Sequence, residues 1–104
     1  MKFSLIESPV KGKKYRAVIY SKPKSGIDSG NELVEIKVDF GADGYEDYTM
    51  HQDPKRKKAY IARHEKNEDW TDYKTAGYWS RWLLWNKPTL LESYLDVQKK
   101  LSKL

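Results

Sequence analysis

The chain has 104 residues and no cysteine, which excludes disulfide cross-links, thiolate metal sites and cysteine nucleophiles. Its formal charge is +5 and its pI is about 9.3, a balance that favours anionic partners. No apolar run approaches the length of a membrane span, and the first ten residues lack the apolar core of a signal peptide. We therefore expect one soluble domain, residues 1–104, that is not exported and does not bind a membrane.

The N-terminal half predicts β-strands. Phe3–Leu5 begins a short apolar alternation, Tyr15–Tyr20 is rich in β-forming residues, and Leu33–Phe40 alternates apolar and charged residues with a period of two. Segment 21–31, SKPKSGIDSGN, has the composition of an exposed loop that joins the second and third strands as an antiparallel hairpin. After a glycine-bearing turn, Tyr45–Met50 predicts a fourth short strand.

The C-terminal half predicts three helices. Asp53-Pro54 supplies an N-cap and a first-turn proline for a helix with one narrow apolar face and one basic face. Trp70–Pro88 contains all four tryptophans, and from Thr75 its apolar residues recur at helical spacing, which predicts an enclosed core helix. A platform on which bases stack is the alternative. The fold class expected is therefore α+β, a small antiparallel sheet packed against three helices.

The segment between the second and third predicted helices is interpreted as a rigid corner. Asn86 is expected to end the tryptophan helix in a left-handed conformation, and Pro88 keeps Lys87 out of the helical region. Thr89 and Glu92 then form the capping-box pattern that begins the last helix.

Charge is segregated into blocks along the chain. A basic N-terminal stretch is followed by an acidic block between Glu32 and Asp53, and a second basic cluster begins at Lys55. These cations have no apolar companions, so they suit contacts with a phosphate backbone that are sensitive to salt and weakly sequence-specific. An ordinary solvated surface is the alternative. The predicted nucleic-acid-binding residues are Lys11, Lys13, Lys14, Arg16, Lys22, Lys24, Lys55, Arg56, Lys57, Lys58 and Arg63.

The patterns that would indicate catalysis are weak. The two histidines, His51 and His64, match no metal-ligand spacing, and no hydroxyl residue is marked as a nucleophile. Gly41 and Gly44 lack the lysine and hydroxyl residue of a phosphate-binding loop, so we interpret them as turn glycines. We expect no enzyme activity, no cofactor and no metal site. His51 is interpreted as positioning the turn into Asp53, and His64 as a half-buried helix residue bonded to a loop carbonyl.

Six short motifs stand out between Val38 and Leu95: Phe40-Gly41-Ala42, Asp47-Tyr48-Thr49-Met50-His51, Arg63-His64, Trp70, Thr75-Ala76-Gly77 and Leu84-Trp85-Asn86-Lys87-Pro88-Thr89. In these motifs the chain resembles a family of small uncharacterised proteins encoded by nucleocytoplasmic large DNA viruses, the giant viruses and their relatives. The resemblance implies a viral origin and a location in the host cytoplasm, the viral factory or the virion. It carries over no catalytic residue.

Two functions follow from charge and resemblance together. The first is a non-enzymatic viral accessory protein that binds nucleic acid through its phosphates. The second is a structural or interaction protein of the virion, a minor capsid or core component, whose charged blocks are complementary patches for other proteins. The acidic block favours the second function because nucleic acid does not use carboxylates, and Tyr45, Tyr48 and Tyr73 are its candidate anchors. The oligomeric state is left open.

Overall fold

The computed structural model of the protein describes residues 1–21 and 34–103. Its strands form one antiparallel sheet in the order β1-β2-β3, with bounds β1 (Lys2–Glu7), β2 (Lys13–Ser21) and β3 (Val34–Ala42). Its helices are α1 (Tyr48–His51), α2 (Pro54–His64), α3 (Ala76–Trp79) and α4 (Leu90–Ser102). The predicted α+β class is confirmed, with one helix more than expected. Most of the predicted β2–β3 loop, including Lys22 and Lys24, lies outside the described residues.

Apolar and polar residues alternate along the strands, so the apolar side chains lie on one face of the sheet, and this face packs against the helices. Ala17, Ile19 and Phe40 are fully buried on this inner face, and Val38 is nearly so. The register pairs Ala17 with Val38, so the inner positions of β2 and β3 form continuous apolar rows. The period-two pattern read from the sequence therefore marks the core face correctly.

A helix rich in tryptophan lies at the centre of the core, as predicted. Trp79 and Leu83 are fully buried. The ring centroid of Trp79 lies 5.1 Å from that of Phe3 and 6.3 Å from that of Phe40. The indole N–H of Trp79 donates to the backbone oxygen of Tyr73 at 2.7 Å, so the buried ring leaves no unsatisfied donor.

The same helix widens after its first turn. The α-helical part ends at Trp79, and Ser80–Leu84 is a π-helical turn in which the backbone N–H of Trp85 donates to the oxygen of Ser80 at 3.1 Å. This i-to-i−5 bond changes the angular spacing of the side chains. Trp82 and Trp85 consequently lie at the flank of the core and are half-buried.

The prediction of a fourth strand at Tyr45–Met50 is wrong. The carboxylate of Asp47 accepts from the backbone N–H of Thr49 at 3.0 Å and starts the single helical turn α1, which ends at Gln52 with φ 55°. Bonds between a side chain and the local backbone offer these residues an alternative to pairing in the sheet.

Asn86 does not take the left-handed conformation expected of it; within the described ranges, Gln52 is the non-glycine residue with a positive φ. The Asn86 side chain is instead buried, and its amide donates to the backbone oxygen of Trp82 at 3.2 Å and to Asp96 at 2.7 Å. The amide thus satisfies a carbonyl at the helix end that a left-handed turn would otherwise have satisfied.

The other helix starts agree with the sequence. Asp53 accepts from the backbone N–H of Lys55 at 2.9 Å. The hydroxyl of Thr89 accepts from the backbone N–H of Glu92 at 3.2 Å and donates to its carboxylate at 3.0 Å. No helix within the described ranges is both long and apolar enough to cross a membrane.

Candidate functional site

A groove of about 510 Å³ lies between the end of the sheet at the start of β2, the loop after β3, and α2. The sheet and loop contribute Lys13, Lys14, Gly41, Ala42, Tyr45, Glu46 and Asp47. The helices and the segments that join them contribute Arg56, Ala59, Tyr60, Arg63, His64, Glu68, Ala76, Gly77, Ser80, Leu84 and Trp85. Residues of both basic blocks therefore meet here, although they are more than forty positions apart in the sequence.

The face that α2 turns to the groove follows from its sequence spacing. Arg56, Ala59 and Arg63 are three and four residues apart and share one side of the helix. Tyr60 projects from the adjacent side, is buried, and stacks on Trp85 with ring centroids 4.3 Å apart and an interplanar angle of 3°. The stack of Tyr60 on Trp85 thus holds α2 with its arginines along the groove.

Several predicted phosphate-binding cations are paired with the acidic block. The ammonium of Lys14 lies 2.8 Å from the carboxylate of buried Asp47. Arg16 holds Asp39 through two hydrogen bonds of 3.0 and 3.1 Å. Hydrogen bonding from Arg16 lowers the pKa of Asp39, and the same bond raises the pKa of Arg16. Lysine and arginine side chains of the basic N-terminal block therefore form ion pairs with carboxylates of the acidic block.

Arg16 also lies away from the groove. The register of the sheet places it opposite Asp39 on the outer face, since its neighbour Ala17 is buried on the inner face. Arg56 remains at the groove, in an exposed pair with Glu46 at 3.4 Å. An exposed pair of this kind is weak, so Arg56 exchanges partners at little cost.

Lys57 is a structural residue in this fold. Its ammonium donates to the backbone oxygen of Asn86 at 2.6 Å and lies 4.9 Å from the ring centroid of Tyr48. Burial lowers the pKa of Lys57, and the positive charges of Arg81 and Lys87 act in the same direction. Lys57 therefore fastens α2 to the end of the tryptophan helix.

The other predicted cations that the structure describes are exposed and form no ion pair with a carboxylate in residues 1–21 and 34–103. They are Lys11, Lys13, Lys55, Lys58 and Arg63. Of these, Lys13 and Arg63 line the groove. The structure thus brings Lys13, Lys14, Arg56 and Arg63 together, and it leaves Arg16 and Lys57 outside that set.

The two histidines differ in role. The Nδ1 atom of His51 accepts from the backbone N–H of Asp53 at 3.0 Å, which confirms that His51 positions this turn. Its Nε2 atom is buried and has no hydrogen-bond partner in the part of the chain that the structure describes. His64 is half-buried as expected, but its partner is the carboxylate of Glu68 at 3.2 Å, not a loop carbonyl.

Glu68 is a site residue that the sequence reasoning missed. Its carboxylate accepts from the indole N–H of Trp70 at 3.3 Å, in addition to pairing with His64. It also lies so close to Gly77 that a Cβ there would meet its Oε1 atom at 2.5 Å. The two residues are four positions apart, but α2 ends at His64, so the spacing rule for a helix surface does not by itself predict this contact.

Tyr45 is an exposed aromatic side chain at the groove, with 73% of its surface exposed. Tyr48 and Tyr73, the other two candidate anchors, are half-buried.

No group of three or more His, Asp or Glu side chains in residues 1–21 and 34–103 is placed to hold a metal ion.

A family model described as a family of unknown function (DUF5754) matches residues 3–64. This match covers more than half of the 104 residues. The chain belongs to this family. The DUF5754 match includes β1 except Lys2, the whole of β2, β3, α1 and α2, and every groove cation. It ends before the tryptophan helix.

Three of the motifs that resemble viral proteins lie inside the DUF5754 match: Phe40-Gly41-Ala42, Asp47-Tyr48-Thr49-Met50-His51 and Arg63-His64. Nothing in this match tells which organisms encode the family, so the viral origin stays a prediction. No curated protein and no solved structure matches the chain.

Proposed function

We propose that the protein is a non-enzymatic accessory protein that binds nucleic acid through phosphate contacts at this groove, with weak sequence specificity. One observation carries the proposal. Lys13 and Arg63 come from the two separate basic blocks, line the same groove, and form no ion pair with a described carboxylate. Exposed cations that form no ion pair are those that exchange counterions for phosphate.

The other charges of the groove support the same reading. Four cationic side chains and three carboxylates line it, but Asp47 is held by Lys14 and Glu46 by Arg56. Two of the three carboxylates that oppose an anion are thus paired with a cation, the third, Glu68, contacts His64, and Arg63 forms no ion pair with a described carboxylate. Lys11, Lys55 and Lys58 are further exposed cations that add to the positive charge of the protein without lining the groove.

The resemblance of the chain's motifs to proteins of nucleocytoplasmic large DNA viruses favours a viral setting for this function. The protein then acts in the host cytoplasm, at the viral factory, or in the virion. Contacts with phosphate carry no sequence information, so they suit a protein that binds throughout a genome and not at one specific site.

Binding is tested by fluorescence anisotropy with short labelled oligonucleotides, single- and double-stranded, at about 50 and about 200 mM salt. The groove variant is Lys13→Ala/Arg63→Ala, and its matched control is Lys99→Ala/Lys103→Ala, which removes the same charge from exposed positions on and next to α4. We expect the groove variant to bind more weakly than the control, with a salt slope reduced by about one for each lost contact. Equal losses in the two variants, or no binding by wild type at low salt, would contradict the proposal.

A role as a virion interaction protein is the second candidate, favoured by one surface. Tyr45 and Met50 are 73% and 60% exposed, and both line a shallow depression with Glu7, Asp43 and Glu46. Apolar anchors beside carboxylates suit a basic protein partner. Cross-linking of purified virions followed by mass spectrometry tests this candidate, which requires a reproducible link from this surface to a capsid or core protein.

A further inference from the structure

The exposed ring of Tyr45 has no role in holding the fold. It is 73% exposed, and it belongs neither to the core nor to the partly buried residues packed against the core. The ring lies at a groove lined by four cationic side chains and three carboxylates, and proteins stack unpaired bases on exposed aromatic rings beside such backbone-binding cations.

The backbone that carries Tyr45 is nevertheless well anchored. The backbone N–H of Tyr45 donates to the oxygen of Ala42 at 3.3 Å, and the N–H of Asp43 donates to Gly12 at 3.0 Å. Two residues after the ring, Asp47 is 3% exposed and is held by Lys14 at 2.8 Å. The ring is therefore presented from a fixed turn, which lowers the entropy lost when a ligand stacks on it.

We infer that the nucleic acid bound at this groove is single-stranded, with one base stacked on the ring of Tyr45 and the neighbouring phosphates held by Lys13, Arg56 and Arg63. This inference rests on the proposed function and specifies its substrate class. DNA and RNA strands share the required chemistry, an exposed base face next to a phosphate.

The shape of the site favours a single strand over a duplex. The cations line a groove whose volume of about 510 Å³ lies in the range typical of sites for small molecules. In a duplex the bases are paired and stacked inside the helix, so they offer no open face to Tyr45. A single strand bends its backbone toward the arginines and leaves its bases free to stack.

The test compares oligothymidylate and oligouridylate with a duplex of the same length, using wild type, Tyr45→Ala and Tyr45→Phe. Tyr20→Ala is the matched control, because Tyr20 is also exposed, at 37%, but lies on the outer face of the sheet. We expect Tyr45→Ala to weaken binding of the single strand by about 5- to 150-fold. Tyr45→Phe and Tyr20→Ala should bind the strand as wild type does, and Tyr45→Ala should leave duplex binding unchanged.

A photochemical experiment checks the stacking contact directly. Irradiation of the protein with a strand that contains 5-iodouracil is expected to cross-link the peptide that carries Tyr45, as identified by mass spectrometry, and a Tyr45→Ala variant should lose this cross-link.

Different results would overturn single-strand binding and phosphate binding. If Tyr45→Ala binds single strands as wild type does while Lys13→Ala/Arg63→Ala loses affinity, the single-strand inference is wrong and the phosphate-binding function stands. The same holds if the duplex binds as tightly as the strand. If neither form binds at low salt, the proposed function fails and this inference fails with it.

Discussion

Gly41 and Gly44 occupy the same left-handed region of backbone space but differ in the room around them. Their φ angles are +80° and +85°. A Cβ at Gly41 would lie 2.9 Å from Cδ1 of Leu84 and 3.2 Å from Cβ of Lys14, whereas a Cβ at Gly44 would have no atom within 4 Å. The loss of unfolding free energy in Gly44→Ala therefore measures backbone strain alone. The loss in Gly41→Ala measures backbone strain together with overpacking.

The magnitudes follow from these two contributions. A left-handed backbone costs an L-residue about 1 to 2 kcal/mol, which is the loss of unfolding free energy expected for Gly44→Ala. Overpacking adds about 1 to 3 kcal/mol where the neighbours cannot withdraw. Leu84 is 2% exposed, so Gly41→Ala is expected to lose about 2 to 5 kcal/mol in total.

Urea unfolding followed by tryptophan fluorescence measures both variants, and equal m-values would validate the comparison. Repeating Gly41→Ala in a Leu84→Ala background removes the nearest opposing atom, so the excess loss at Gly41 should shrink. Variants that differ by less than about 0.5 kcal/mol, or an excess that persists without the Leu84 side chain, would refute the packing argument.

Three further changes have defined outcomes. Thr89→Ala removes the cap of α4 and should lower the unfolding free energy by about 0.5 to 2 kcal/mol in urea. Trp85→Ala removes the ring stacked at 4.3 Å on Tyr60 and should lower the unfolding free energy by about 3 kcal/mol. A Trp85→Ala variant that melts at the temperature of wild type would show that the stack does not hold α2. Asp39→Asn should destabilise the protein at neutral pH, because Arg16 holds the pKa of Asp39 below its usual 3.8. That stabilisation is present above pH 3.8 and is lost as the pH falls through the lower folded pKa, so the melting temperatures of Asp39→Asn and wild type should converge in strong acid.

The features that the sequence predicted correctly depend on neighbours a few residues apart. The alternation along β3, the caps at Asp53 and Thr89, and the buried face around Trp79 are set by the geometry of a single strand or helix turn. The wrong predictions also have local causes. Asp47 bonds to the nearby backbone and makes a helical turn in place of a strand, and the amide of Asn86 caps the carbonyl of Trp82 without a left-handed residue.

The sequence by itself determined the fold class, the periodic core positions and the presence of two basic blocks and one acidic block. Only the tertiary structure decided which cations are available to a partner. The register of β2 against β3 places Arg16 opposite Asp39, and the loop after β3 brings Asp47 to Lys14, contacts between residues more than twenty positions apart. Such pairings arise when strands and helices dock, and because Coulomb energy depends on distance in space, charge counted along the chain does not reveal them.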